Sequence, residues 1–193
     1  MRVAFDGRAI GDHFPGIGRY AYNLARALLN APHPPALTIF DDPRQPRTRF
    51  DLSQLSPAQF IPSASVFALS AQWRLPRQLR RASVDLYHAP YYLMPYWPGV
   101  PAVLTVHDLI PMRYPGYYTP LARLIFAVTL RLAVRASARI IAISHATAAD
   151  LQRVFRLDAA RIVIIPEAPD PNFVPQPASA IAAVRERLGL PAR

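Results

Sequence analysis

Short apolar runs alternate along this chain with segments of helical periodicity, and that alternation constrains the fold more than any other feature. The runs 2–5 (RVAF), 36–40 (ALTIF), 102–106 (AVLTV), 139–143 (RIIAI) and 161–165 (RIVII) are short and apolar on both faces, as buried strands are. Residues 59–62 and 85–88 give two weaker strand candidates. Between the strands lie helical segments. One opens at Gly18, with Tyr20, Leu24, Ala27, Leu28 and Ala31 on one face, and stops at Pro32, Pro34 and Pro35. Others cover 73–82, a stretch marked by Leu121, Leu124, Ile125, Val128 and Leu132, then 146–155 and 179–188, the last closing on Gly189 and Pro191. The proline-rich stretches 41–51, 89–101 and 109–120 read as loops. Alternating elements with two-faced apolar strands predict a mostly parallel sheet covered on both sides by helices.

At 193 residues, 52% of them apolar, the chain is long enough for one domain with a real core. No apolar run reaches the roughly 18 residues that span a bilayer, and the longest, from Leu124, is broken by Arg131 and Arg135. The start MRVAFDGRAI is too short and polar for a secretory signal, so a cytoplasmic protein is expected. Cysteine is absent, which excludes disulfides and thiolate metal sites. The net charge is +10 and all 22 basic residues are arginine. Such a charge suits nucleic acid, an anionic membrane or phosphorylated substrates. The arginines are dispersed, however, with no basic tail and no zinc finger, so no nucleic-acid partner is expected.

In parallel sheets, ligands collect beyond the carboxyl ends of the strands. Asp6, His88, His107, Asp108, Ser144, His145 and Glu167 all fall at or just after predicted strand ends. Ahead of the first helix stands Gly16-Ile17-Gly18, followed by Arg19. With Ala21 it matches a dinucleotide-binding spacing, and Asp41, 20 residues on, sits where a ribose-binding acid would. In that fingerprint, though, the first glycine directly follows the first strand, whereas ten residues separate Phe5 from Gly16 here. An NAD(P)-binding oxidoreductase is therefore the weaker alternative. What remains is a glycine-rich turn at a helix mouth, offering free N–H groups to an anion or to the edge of a sugar.

Read in order, RVAFDGR, GIGRYAYNLARAL, DLYHAPYYLMP, VLTVHDLIP, IIAISHATAADL and IVIIPEAPD resemble the N-terminal domain of family 4 retaining glycosyltransferases. The resemblance covers essentially the whole chain, and the nearest likeness is to bacterial mannosyltransferase-type members. It implies a Rossmann-like three-layer α/β/α domain over 1–177, the acceptor-side half of a two-domain GT-B fold. Residues 178–193 would then be a terminal helix and the start of a linker to a donor-binding domain. The implied reaction moves a hexose, by resemblance mannose, from a nucleotide-diphosphate sugar to a saccharide or lipid-linked acceptor. No metal or other cofactor is expected, since helix dipoles and basic side chains neutralise the diphosphate. A stand-alone sugar- or nucleotide-binding module is the alternative from a different class.

Roles follow residue by residue from the resemblance. Gly16, Ile17, Gly18 and Arg19 match the loop that closes on the donor diphosphate and sugar. His107 matches the histidine expected to hold a donor-sugar hydroxyl and organise an oxocarbenium-like transition state. His88, Tyr91 and Tyr92 fall where the acceptor pocket is shaped, with Asp6 and Asp108 beside the cleft. Ser144 is expected to cap a helix or touch ligand. Glu167 stands where many relatives carry Asn. The arginine-bearing helical stretches 73–82 and 121–136 are candidates for contact with the inner face of the plasma membrane.

Overall fold

The computed structural model describes residues 1–169 and 173–191; Asp170, the last residue of the IPEAPD motif, and residues 192–193 lie outside them. Seven strands form one sheet: β1 (Arg2–Asp6), β2 (Ala36–Asp41), β3 (Gln59–Pro62), β4 (Leu86–Ala89), β5 (Ala102–Val106), β6 (Arg139–Ala142) and β7 (Ile162–Ile164). Their order is β3-β2-β1-β4-β5-β6-β7 and every pairing is parallel, from Val3 opposite Leu37 to Ala142 opposite Ile164. The helices are α1 (Pro15–Leu29), α2 (Ala71–Arg81), α3 (Ile110–Arg113), α4 (Pro120–Ala136), α5 (His145–Phe155) and α6 (Ala178–Arg187). This is a Rossmann-like α/β domain.

The sheet is covered on both faces because alternate strand residues are apolar on both sides. Val3, Phe5, Leu37 and Ile39 pack with Ala21, Tyr22 and Ala25 of α1. From the other face, Ala4, Phe40, Tyr87 and Leu104 meet Leu75 and Leu79 of α2, Leu130 and Ala133 of α4, and Leu151 of α5. Strand order reverses between β1 and β4, the neighbours at the centre of the sheet. A crevice at such a reversal is where this class of sheet binds ligands.

Two local differences from the sequence reading bear on the site. The first helix begins at Pro15, not Gly18, so both glycines lie inside its opening turn. Proline at the first helical position fixes a helical φ and lacks only an N–H that would go unbonded there anyway. The loop 109–120 contains the short helix α3, which Asp108 initiates by accepting the Ile110 N–H at 2.9 Å.

Candidate functional site

The carboxyl ends of β1, β4 and β5 bring several polar side chains together, and their burial separates rim from foundation. Asp6 closes β1 and is buried. Its carboxylate receives Arg8 Nε at 2.7 Å, Arg8 Nη2 at 2.6 Å and the Tyr87 hydroxyl at 2.5 Å. Arg8 is fully buried and Tyr87 equally so. Burial works against the Arg8 charge, but Asp6 and Tyr87 more than offset it, and the guanidinium is held more firmly protonated than usual. Nothing in the sequence marks Arg8 as buried, because an arginine just past a strand resembles loop surface.

His88 is buried one layer below the rim. Its Nε2 lies 2.9 Å from Thr105 Oγ1, and Phe5 packs edge-on at 5.4 Å. Burial lowers its pKa from 6.5 to about 4, with Asp6 opposing that shift. Tyr20 of α1 reaches the same Thr105 hydroxyl at 3.2 Å, which links α1 to β4 and β5.

His107 sits just past the end of β5, with its side chain 15% exposed. Tyr20 packs edge-on against its ring, the centroids 4.9 Å apart. Nδ1 lies 2.9 Å from Glu167 Oε1 and Nε2 lies 3.0 Å from the Pro90 carbonyl oxygen. Both partners are acceptors, so the ring is gripped from two sides when each nitrogen carries a proton. The Thr147 hydroxyl donates to the His107 carbonyl at 3.0 Å, fixing the backbone beneath the ring. Glu167 thus reaches His107 across 60 positions of chain, a pairing no local pattern announces.

The amino end of α1 lies one turn before Tyr20. Phe14 precedes it without a side-chain cap, and Gly18 N–H already bonds the Phe14 carbonyl at 2.6 Å. The N–H groups of Gly16 and Ile17 therefore open the helix at its positive end. The two glycines differ in kind. A Cβ on Gly18 would fall 2.9 Å from the Ala9 carbonyl oxygen, whereas one on Gly16 meets nothing within 4 Å. Gly18 allows close packing; Gly16 leaves approach from outside open. Arg19 follows as an exposed residue of α1.

Phe14 and Ile17 anchor this turn in a small cluster with Ala9 and Val66, and Tyr91 packs against Phe14 at 5.1 Å. Tyr91 and Tyr92 are stacked at a tilt, 4.4 Å apart, and Phe126 meets Tyr92 edge-on at 5.0 Å. Both phenols are half-buried, and burial raises their pKa values. Ser144 caps α5, accepting the Thr147 N–H at 3.1 Å. Asp41, the ribose-binding candidate of the dinucleotide reading, instead pairs with Arg47. Among the described residues, no group of three His, Asp or Glu is arranged to hold a metal ion.

A groove of about 600 Å³ lies away from these residues, between the 96–101 loop and Leu132, Arg135 and Ala136 of α4. That loop leads into the start of β5, the opposite end of the sheet from His107.

The domain's parallel three-layer form, with a polar rim at the strand carboxyl ends, is shared by solved structures of known proteins. The structure of Anabaena Alr3699/HepE in complex with UDP and glucose matches it with a TM-score of 0.63 at 19% identity, over 98% of this chain and 50% of that one. The glycosyltransferase from Rickettsia africae ESF-5 matches with a TM-score of 0.54 at 13% identity, over 100% of this chain and 50% of that one. This chain thus spans about half the length of the solved structures it matches. No curated protein matches it significantly. The profile of Glycosyltransferase Family 4 matches residues 15–173, and the chain belongs to that family.

Proposed function

We propose that this chain is the acceptor-side domain of a retaining glycosyltransferase that moves a hexose, mannose by resemblance, from a nucleotide-diphosphate sugar to a saccharide or lipid-linked acceptor. One observation carries the reading. The uncapped amino end of α1 and the gripped His107 share one rim, with Tyr20 bridging them. The neighbour of known structure was captured with UDP and glucose, which supports a nucleotide-sugar donor.

The chemistry divides between these two features. Departure of the nucleoside diphosphate builds negative charge on a phosphate oxygen. The Gly16 and Ile17 N–H groups, aligned with the α1 dipole, are suited to stabilise it, and Gly16 keeps the approach clear of side chains. His107 stands on the sugar side of the rim with both ring nitrogens turned to Glu167 and the Pro90 carbonyl, and it donates to a sugar hydroxyl by exchanging one of those partners for it. With a helix terminus neutralising the diphosphate, no metal is required. Tyr91 and Tyr92 offer ring faces for an acceptor sugar. The enzyme acts in the cytoplasm, at the inner face of the plasma membrane when its acceptor is lipid-linked. Alone, the domain holds one wall of the cleft and does not complete transfer.

Transfer by the full-length protein tests this. His107→Ala is expected to lower kcat at least ~100-fold, the scale of losing a positioned catalytic donor, with the fold intact by circular dichroism. Unchanged transfer removes His107 from the mechanism. Stabilisation of the chain by NAD(P), but not by nucleotide sugars, removes the transferase reading itself.

A further inference from the structure

The loop between β4 and β5 is held rigid and yet leaves a large aromatic side chain in solvent. Pro95, Pro98 and Pro101 each fix a backbone angle, and Gly99 makes the turn with a φ of +75°. Gln72 of α2 clamps the loop, accepting the Tyr96 N–H and donating to the Met94 carbonyl, both at 3.0 Å. The Pro101 carbonyl closes its far end on the Tyr87 N–H at 2.9 Å. On this fixed loop Trp97 is 73% exposed, although few side chains would stabilise the fold more if buried.

Trp97 lines the groove of about 600 Å³, opposite Leu132, Arg135 and Ala136 of α4. That volume lies within the range of small-ligand sites. The charge in the groove is of one sign. None of its lining residues is acidic, and the exposed Arg135 has no hydrogen bond or ion pair among the described residues. A second guanidinium, that of Arg80, reaches the loop: a Cβ on Gly99 would lie 3.5 Å from its Nη1. The groove sits at the carboxyl end of α4, where the helix dipole disfavours an anion. Arg161 offsets this, donating to the Val134 and Ser137 carbonyls at 2.8 and 2.6 Å.

We propose that this groove binds a saccharide carrying a carboxylate, with the Trp97 indole stacked on a sugar face and Arg135 paired with the charge. The C–H face of a pyranose ring is apolar and matches an exposed indole, while its hydroxyls stay hydrated. A planar guanidinium meets a carboxylate through two parallel hydrogen bonds. A phosphate group is the poorer fit, since it is held best at a helix amino end and this is a carboxyl end. The loop is already fixed, so binding costs little ordering. The groove lies at the end of the sheet opposite His107. The proposal goes beyond the transfer reading, and its test needs neither donor nor reaction, so the two fail separately.

The probe is tetragalacturonate, with maltotetraose as the neutral counterpart and a uridine tetranucleotide as the phosphate-bearing one. Titration calorimetry is run on the chain and on the longest native form of the protein, with light scattering in parallel. In the chain, Trp73→Phe leaves Trp97 as the sole tryptophan, so its fluorescence reports the groove. Tetragalacturonate is expected to bind, to shift that emission, and to bind at least about fivefold tighter than either counterpart. Trp97→Ala is expected to weaken binding about tenfold, the scale of a lost stacking contact. Arg135→Gln is expected to weaken it about fivefold. Both variants should keep the unfolding temperature, since both side chains are exposed. Arg74→Gln, toward the other end of α2, should leave binding within about twofold, because charges beyond the contact are screened. The proposal is overturned by absence of binding, by an unmoved Trp97 emission, or by indifference to Trp97→Ala or Arg135→Gln. Either counterpart binding within about fivefold of tetragalacturonate also overturns it. So does a dimer that Trp97→Ala dissolves, which assigns the groove to a second copy. Binding by the chain that vanishes in the longer form assigns the groove to the rest of the polypeptide, with the same consequence.

Discussion

Arg8 and His88 lie near the point where strand order reverses, both buried, and the structure treats their charges in opposite ways. Arg8 keeps its charge because Asp6 meets it with both oxygens and Tyr87 donates to the same carboxylate. His88 has no such partner close by, only the Thr105 hydroxyl, and burial pushes its pKa down to about 4. The folded chain therefore leaves His88 unprotonated as pH falls through 6.5, while the unfolded chain takes up a proton. Below that pH the unfolded state binds more protons, so stability falls with acidification and the effect is complete near pH 4. The full difference is roughly 3 kcal/mol. Denaturant unfolding between pH 7 and about 4 should show this loss, and His88→Gln should flatten the profile by a comparable amount. An unchanged slope in the variant would mean that His88 is hydrated or charged in the native state.

At the scale of elements, the opening turn of α1 separates a glycine that packs from one that faces open space. Gly18→Ala drives a methyl group against the Ala9 carbonyl, and backbone cannot yield as a flexible side chain does. A loss of about 1–3 kcal/mol is expected, read as a lowered unfolding temperature. Gly16→Ala meets open space, and alanine favours helix, so the domain should unfold at the same temperature or a few degrees higher. In the full-length enzyme the same methyl group narrows the approach to the α1 amino end, and KM for the donor should rise roughly tenfold. A donor KM unmoved by Gly16→Ala would make the turn purely structural.

Most of these elements were legible in the sequence because buried parallel strands are continuous apolar runs. The strands 36–41 and 102–106 announce themselves, and edge strand β3 was found only as a weak candidate. Helix α3 was not legible: it has four residues, one of them Pro111, and buries none of its side chains. At the site, strand-end residues were visible by position alone. Their partners were not, because Tyr20 to Thr105 and His107 to Glu167 join elements 85 and 60 residues apart. Periodicity reports which face of an element is buried, and says nothing of which distant side chain it meets.

For the molecule as a whole, the boundary of the folding unit is a physical question about burial. The two cores are built entirely from residues up to 164, packed across the sheet. Helix α6 buries none of its residues, and its apolar positions Ile181 and Val184, with Leu188 just past its end, are 43–61% exposed. A ten-residue helix with no packed face is marginal in water and adds little to the free energy of the rest. A chain cut after Pro177 should therefore unfold cooperatively within about 2 °C of the 193-residue chain, since even 1 kcal/mol would shift it by about 2–4 °C. Calorimetry on the two lengths measures this directly. A fall of more than about 5 °C would mean that Ile181 and Val184 dock on the domain in solution, and would place the boundary beyond residue 188.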